Sequence, residues 1–257
     1  MCRLETRNLR HRFPDGTEAL RGVTIAFEPG SFTVLAGANG SGKTVFARHL
    51  NGLYRPTEGE VLLDGRSIFD DLSAARQAVG LVFQNAESQF VGQTVAQDTA
   101  FGPENLNLPA AEVARRVEES LRTVGLWERR DTPPHSLSGG QRRRAAIAGV
   151  LAMNPRVVLF DEPFSGLDYS GVRQVLEQLV RMRERGTTVI VISHQLDKLL
   201  AHADRLVLFH RGAVVADGSP QDVAPCLERY DVRNPLSGGL RLEQLSWLCC
   251  GEDSRHG

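Results

Sequence analysis

The stretch GANGSGKT, residues 37–44, limits the folds open to this 257-residue chain more than any other feature. It fits G-x-x-x-x-G-K-[ST] in full, follows the apolar run FTVLAG and opens a helix-forming segment, KTVFARHLNGL. That strand–loop–helix context separates a phosphate-binding loop from an ordinary glycine-rich turn. Glycines let backbone N–H groups wrap a phosphate chain where a Cβ would intrude. In such a loop Lys43 reaches the β and γ phosphates, and the Thr44 hydroxyl is placed to ligate Mg2+. The nucleotide-binding set expected here is Gly37, Ala38, Asn39, Gly40, Ser41, Gly42, Lys43 and Thr44.

The remaining pattern agrees with a sheet built around that loop. The first thirty residues read as strands, with VTIAF (23–27) alternating and PDGT (14–17) as a turn. GEVLLDG and VGLVFQ are strand-like. A mostly helical stretch from about Thr94 to Met153 follows, broken by GPENLNLP and DTPPHSLSGG. Strand VVLFD, a helix over 170–185, strand TTVIVIS, a helix over 195–202, strand RLVLF and a hairpin arm GAVVADG complete the series. Continuously apolar strands alternating with helices predict a mostly parallel sheet covered on both faces. The fold class expected is α/β: a P-loop NTPase core, an N-terminal antiparallel β subdomain, and an inserted α-helical subdomain at about 86–153. Residues 1–227 form the expected domain, and 228–257 a tail of little periodicity.

Composition narrows the function classes. Thirty basic residues against thirty-one acidic ones leave a net charge of −1, which does not support a nucleic-acid binder held by bulk electrostatics. Cys2, Cys226, Cys249 and Cys250 form neither a disulfide framework nor a CxxC pair. Cys249 and Cys250, with His256 nearby, read as incidental reduced thiols rather than a metal site. The start, MCRLETRNLRHRF, is too charged for a signal peptide. The apolar runs fall far short of the ~20 residues of a spanning helix. A cytosolic chain is expected, reaching any membrane through a partner.

Two further motifs carry chemistry. VVLFDEP (157–163) is an apolar strand ending in two carboxylates, placed at the carboxyl edge of the sheet where ligands sit in open α/β folds. Adjacent strand residues point to opposite faces, so different tasks are expected of them. Asp161 suits a metal, and Glu162 suits deprotonating a water at the γ phosphate. LSGGQ (137–141) reads as a second anion site, with Ser138 as N-cap and Gly139 and Gly140 leaving backbone amides open. The same SGG recurs at 237–239 as plain tail.

Taken in order, the P-loop, LSGGQ, the DE pair, SGLD (165–168) and VISH (191–194) resemble the ATP-binding-cassette (ABC) ATPases over roughly residues 3–225. The resemblance implies why one domain carries two phosphate sites. In that family two cassettes pack head to tail, and LSGGQ of one closes on the γ phosphate held by the other. Leu137, Ser138, Gly139, Gly140 and Gln141 would thus serve a neighbour's ATP. By the same resemblance Gln84 matches the Q-loop glutamine, which senses Mg2+ and the attacking water and faces the membrane partner. His194 matches the switch histidine at the γ phosphate, and Asp168 the aspartate of the dimer contact. Phe13 aligns with the aromatic that stacks on adenine, a contact that needs only a π face. The implied Mg2+ ligands are Thr44, Gln84 and Asp161.

For subtype, QNAESQFVGQTVAQDTAFGPENLNLP (84–109) is similar to the ATPases of energy-coupling-factor (ECF) importers, including cobalt and nickel ATPases; Gln89 and AFGPENL (100–106) carry the likeness. Departures are Ala86 where proline is usual, Ser88 for an acidic residue, Gln97 for a glutamate before Asp98, and Gln195 for an aspartate. The low-charge segment after Gln84 suits a groove for a helix of a membrane protein. Arg142, Arg143 and Arg144 oppose the dipole of their helix and are expected to meet acidic groups or a partner. The function implied is ATP hydrolysis that energises uptake of Co2+, Ni2+ or a vitamin at the cytoplasmic face of the membrane. The partners implied are an integral membrane subunit, a substrate-binding membrane subunit and a second ABC ATPase, identical or related. A soluble ATP-gated clamp on DNA or ribosomes is the alternative; it is disfavoured by a short insert and a single cassette. A small-molecule kinase would have no use for LSGGQ.

Overall fold

The computed structural model describes residues 3–84 and 90–248, organised around two sheets. The smaller contains β1 (Leu4–Arg12), β2 (Glu18–Phe27), β4 (Glu58–Leu63) and β5 (Arg66–Ser67), in the order β2-β1-β4-β5 and antiparallel throughout. Its alternation buries one face: Leu4, Leu9, Leu20, Val23 and Phe27 are all shielded from solvent. This face packs over Phe46 and Phe209, which lie 5.1 Å apart between ring centroids.

The larger sheet holds β3 (Phe32–Ala36), β6 (Val79–Val82), β7 (Val157–Asp161), β8 (Thr188–Ile192), β9 (Arg205–His210) and β10 (Ala213–Gly218). Its order is β10-β9-β3-β8-β7-β6, and every neighbouring pair is parallel except the β9–β10 hairpin. All residues of β3, β7 and β8 are buried, as continuous apolar runs covered on both faces require. The register sets Leu35 beside Ile192 and Ile192 beside Asp161. Four adjacent parallel strands, β3, β8, β7 and β6, therefore end along one edge.

Helix α1 (Lys43–Leu50) follows the glycine loop directly. Helix α2 (Leu72–Ala78) is short, lacks a sustained apolar period, and has no counterpart in the sequence reading; Asp71 caps it by accepting from the Ala74 N–H at 3.0 Å. Helices α3 (Val95–Asn105), α4 (Ala110–Thr123) and α5 (Gly139–Ala152) pack on one another as a helical layer. Helices α6 (Tyr169–Glu184) and α7 (Pro220–Val223) complete the set.

Three boundaries differ from expectation. GPENLNLP does not break its helix at Gly102: α3 runs through Pro103 to Asn105, since a proline in the last turn forfeits only one backbone bond. Residues 195–202 form two 3-10 turns, Leu196–Lys198 and Leu200–His202, not an α-helix. Strand β6 stops at Val82, so Gln84 sits beyond it on an exposed bend. The segment after α7 is anchored as far as it is described: Val232 and Leu245 are buried in the main core, and Trp247 packs on Tyr169 at 5.1 Å. No described helix is long and apolar enough to cross a membrane.

Candidate active site

The carboxyl edge of the larger sheet opens into a cavity of about 770 Å3. The loop from Gly37 to Gly42 forms its floor. Gly37 has φ 145, and a Cβ there would stand 2.3 Å from the Phe209 carbonyl oxygen and 2.7 Å from Ser41 Oγ. Gly40, by contrast, has φ 75 and open space around it. One side of the loop is thus wedged against the end of β9, and the other is bare backbone facing the cavity. No side chain caps α1, and its first turn holds no acid, so its leading N–H groups are left for an anion.

Lys43 is 8% exposed and its Nζ donates to the Gly37 and Ala38 carbonyls at 2.7 and 3.0 Å and to Ser41 Oγ at 3.2 Å. Burial holds this ammonium below its ordinary pKa, opposed by the charges of Glu162 and Asp161. Asp161, at the end of β7, is 6% exposed. Burial pushes its carboxyl above the usual range; the nearby Glu162 charge adds to this, while a hydrogen bond from Thr44 and the charge of Lys43 oppose it. Hydroxyl, carboxylate and amide oxygens from Thr44, Asp161 and Gln84 all belong to this cavity or its wall. Such hard oxygen donors suit Mg2+, which is commonly held by one or two carboxylates together with substrate phosphates. Among the described residues no group of three or more His, Cys, Asp and Glu side chains is placed to hold a metal.

Glu162 departs from the strand geometry assumed for it. It lies beyond β7 with φ 50, in the left-handed region, and its N–H donates to the Ile192 carbonyl at 2.9 Å. Strand alternation therefore ends at Asp161, and both carboxylates line one cavity instead of facing opposite ways. Their partners still differ. Glu162 Oε2 accepts from Ser193 Oγ at 3.1 Å, and Oε1 accepts from the His194 N–H at 3.1 Å.

Phe13 lines the cavity beside Thr17, Glu18 and Ala19 of the β1–β2 hairpin. It packs edge-on against His11 at 4.7 Å. The cavity thus brings together the glycine loop, Phe13, Gln84, Asp161, Glu162 and His194. Asp231, Val232 and Arg233 also line it. They come from the segment read as a featureless tail, and no local motif marks them.

LSGGQ and Asp168 lie elsewhere. Ser138 and Gln141 form a reciprocal cap on α5: the Gln141 N–H donates to Ser138 Oγ at 3.3 Å and the Ser138 N–H to Gln141 Oε1 at 3.0 Å. Leu137 is buried, whereas Gly139 has nothing within 4 Å of where its Cβ would be. Asp168 caps α6, accepting from the Gly171 N–H at 2.8 Å. Ser138, Gly139, Gly140, Gln141 and Asp168 share a second cavity of about 350 Å3 that has no residue in common with the first.

Arg142, Arg143 and Arg144 each reach backbone carbonyls: Arg142 that of Leu137 at 2.9 Å, Arg144 that of Val124 at 2.9 Å, and Arg143 those of Phe83 and Glu162 at 2.6 and 2.8 Å. Arg143 also lies within electrostatic reach of Asp161 and Glu162, acidic groups of the kind expected for this run.

In the region of the subtype likeness, Asp98 accepts from the Val91 and Gly92 N–H groups at 2.7 and 3.1 Å. Gln97 accepts from the Gln93 N–H at 3.1 Å. The Gln195 side chain meets Lys198 Nζ. Ala86, Ser88 and Gln89 lie outside the described residues, as do Cys2, Cys249, Cys250 and His256. Cys226 is half-buried against the Val223 carbonyl.

Residues 20–165 match the ABC transporter family. The energy-coupling factor transporter ATP-binding protein EcfA of Methanocaldococcus jannaschii is 41% identical over 248 residues, which covers 95% of this chain and 87% of that protein. Among solved structures, cbiO1 from Clostridium perfringens, described as part of the ABC transporter complex cbiONQ, superposes with a TM-score of 0.79. It is 34% identical and covers 90% of this chain and 95% of its own. The dimeric, post-hydrolysis ATP-binding cassette MJ0796 with ADP and Pi gives a TM-score of 0.76 at 27% identity, covering 84% of this chain and 98% of its own.

Proposed function

The chain belongs to the ABC transporter family of ATPases, and from that premise we propose that it is the ATP-hydrolysing subunit of an energy-coupling-factor importer. The single observation that carries this reading furthest is the separation of two anion-ready sites. The P-loop cavity and the LSGGQ–Asp168 cavity share no residue. This separation supports a second cassette, set head to tail, that completes both sites.

Within each site the roles follow from chemistry. Phe13 stacks on the adenine, and the loop from Gly37 to Thr44 holds the phosphates. Glu162, held by Ser193 and His194, takes the proton of the attacking water. His194 and the in-trans amides of Gly139 and Gly140 stabilise charge at the γ phosphate. Thr44, Asp161 and Gln84 would hold Mg2+, which would supply neutralisation of the phosphate charge. Phosphoryl transfer needs positioning and electrostatics rather than covalent chemistry, and this cavity offers both.

ATP binding closes the dimer and hydrolysis reopens it, rocking a membrane partner between two states. The subunit sits peripherally at the cytoplasmic face, with an integral membrane scaffold and a small substrate-binding membrane protein. Its cargo is a cobalt or nickel ion or a vitamin. The relatives named above support the importer class. The test is to tag the chain in its native cell, solubilise membranes in mild detergent and identify what co-purifies. A membrane scaffold with a small ligand-loaded membrane protein is the expected result, and the ligand names the cargo. A chain that stays soluble with no membrane partner overturns the importer reading.

A further inference from the structure

Of the three arginines after LSGGQ, the two outer ones each bond a carbonyl at an end of the helical layer. Arg142 bonds the Leu137 carbonyl and Arg144 that of Val124, just beyond α4. Arg143 crosses to the larger sheet. It is 4% exposed, and its two terminal nitrogens part ways: one donates to the Phe83 carbonyl at 2.6 Å, the other to the Glu162 carbonyl at 2.8 Å. Phe83 immediately precedes Gln84. Glu162 is the residue whose left-handed backbone turns its carboxylate into the nucleotide cavity.

From this geometry we propose that Arg143 is a positioning residue: its guanidinium ties the signature helix to the backbone of both Gln84 and Glu162, setting the catalytic groups of its own subunit. The proposal rests on the reading above that Glu162 and Gln84 act at the γ phosphate.

Three physical points carry it. A buried guanidinium is expensive to desolvate and contributes little net stability where an apolar side chain would pack. Its retention here therefore points to geometry. Both acceptors are carbonyls at the carboxyl ends of adjacent strands, and a rigid planar fork bonds them from separate nitrogens in a fixed geometry. The charge is also favourably placed, with Asp161 and Glu162 close enough to stabilise it against burial. Because α5 begins at LSGGQ, a tilt of that helix on dimer closure is transmitted by one side chain to the loop before Gln84 and to the turn bearing Glu162. Arg143 is not among the residues that line the nucleotide cavity.

The test compares R143K and R143M with wild type in the full chain, measuring ATP turnover, affinity for a fluorescent ATP analogue, and amide hydrogen exchange. A positioning role predicts a kcat loss of about 10- to 100-fold in R143M with nucleotide affinity changed by less than about threefold, since the P-loop is untouched. R143K, which keeps the charge but loses the fixed fork, falls between. Exchange rises at residues 83–84 and 162–165 while α1 stays protected. Wild-type kcat in R143K and R143M overturns the proposal, as does unchanged exchange at those two segments. If R143M fails to fold, R143K decides the matter alone. If wild type itself shows no ATPase activity, the functional reading falls, and the exchange comparison still tests the tether.

Discussion

The backbone N–H of His194 donates to Glu162 Oε1 at 3.1 Å, and the His194 ring nitrogen Nδ1 lies 2.9 Å from the same oxygen. With Ser193 Oγ on the other oxygen, the carboxylate beyond β7 is held by the two residues beyond β8. The neighbouring strand thus orients the group proposed as general base. A Glu162→Gln substitution keeps the shape but removes the basic oxygen; its carbonyl can still accept from the His194 N–H and its amide can donate to Ser193 Oγ. Turnover should fall roughly 10²- to 10⁴-fold while ATP still binds, leaving a closed dimer visible by gel filtration with ATP and Mg2+. Hydrolysis near the wild-type rate would remove Glu162 from this role.

The signature cavity makes a separate prediction. A Cβ added to Gly140 would find only Leu167 Cδ2, at 3.7 Å, an ordinary contact. The fold should therefore accept Gly140→Asp with little change in melting temperature. A carboxylate there would face the γ phosphate of the neighbouring subunit, where like charges repel. Nucleotide affinity of the isolated chain should be unchanged and turnover should drop at least about tenfold. An equal loss of affinity in the monomer would mean that LSGGQ serves its own subunit's nucleotide.

Gly37 behaves in the opposite way. A Cβ at that position would press to 2.3 Å from the Phe209 carbonyl, a backbone atom that cannot swing aside, at a φ of 145. Gly37→Ala should cost on the order of 3 kcal/mol through overpacking and strain. It should also weaken ATP binding, because the floor of the cavity must shift. A thermal melt alongside a nucleotide titration reads both effects. A variant with native stability would show that the loop is not wedged against β9.

The glycine loop was legible in the sequence because its chemistry is local: eight consecutive residues carry the backbone freedom, the lysine and the hydroxyl. The parallel sheet was legible for a related reason, since continuous apolar runs such as VVLF declare two-sided burial. Glu162 was less so. Its type and place were evident, but the left-handed turn that brings both acids into one cavity depends on a hydrogen bond to Ile192, thirty residues on. Arg143 read as a charge that opposes its helix dipole and meets acidic groups or a partner, because no local signal reveals that Phe83 and Glu162 present carbonyls to it. Asp231, Val232 and Arg233 reach the cavity only through the packing of the segment after α7. The two 3-10 turns after His194 carry helical spacing in sequence, which does not distinguish the tighter winding.

Beneath the edge of the nucleotide cavity, His49 makes stability depend on pH. Its Nδ1 lies 2.8 Å from the Val45 carbonyl, which can only accept, so Nδ1 carries the proton. Its Nε2, 3.1 Å from His11 Nδ1, is then the acceptor of a bond that His11 donates. The ring is fully buried, and burial lowers its pKa from 6.5 to about 4, with the nearby His11 adding to the effect and the Val45 bond opposing it. The unfolded chain therefore binds a proton that the folded chain refuses between those two values. The contribution is fully present above pH 6.5 and is lost as the pH falls towards 4, at a cost of about 2 kcal/mol by pH 5. His202, whose pKa burial also lowers, acts in the same direction, so the residue is isolated by comparing wild type with His49→Gln. Urea midpoints at pH 7.5 and pH 5 should differ clearly less in the variant. Equal acid sensitivity in the two proteins would show that His49 is not the group being titrated.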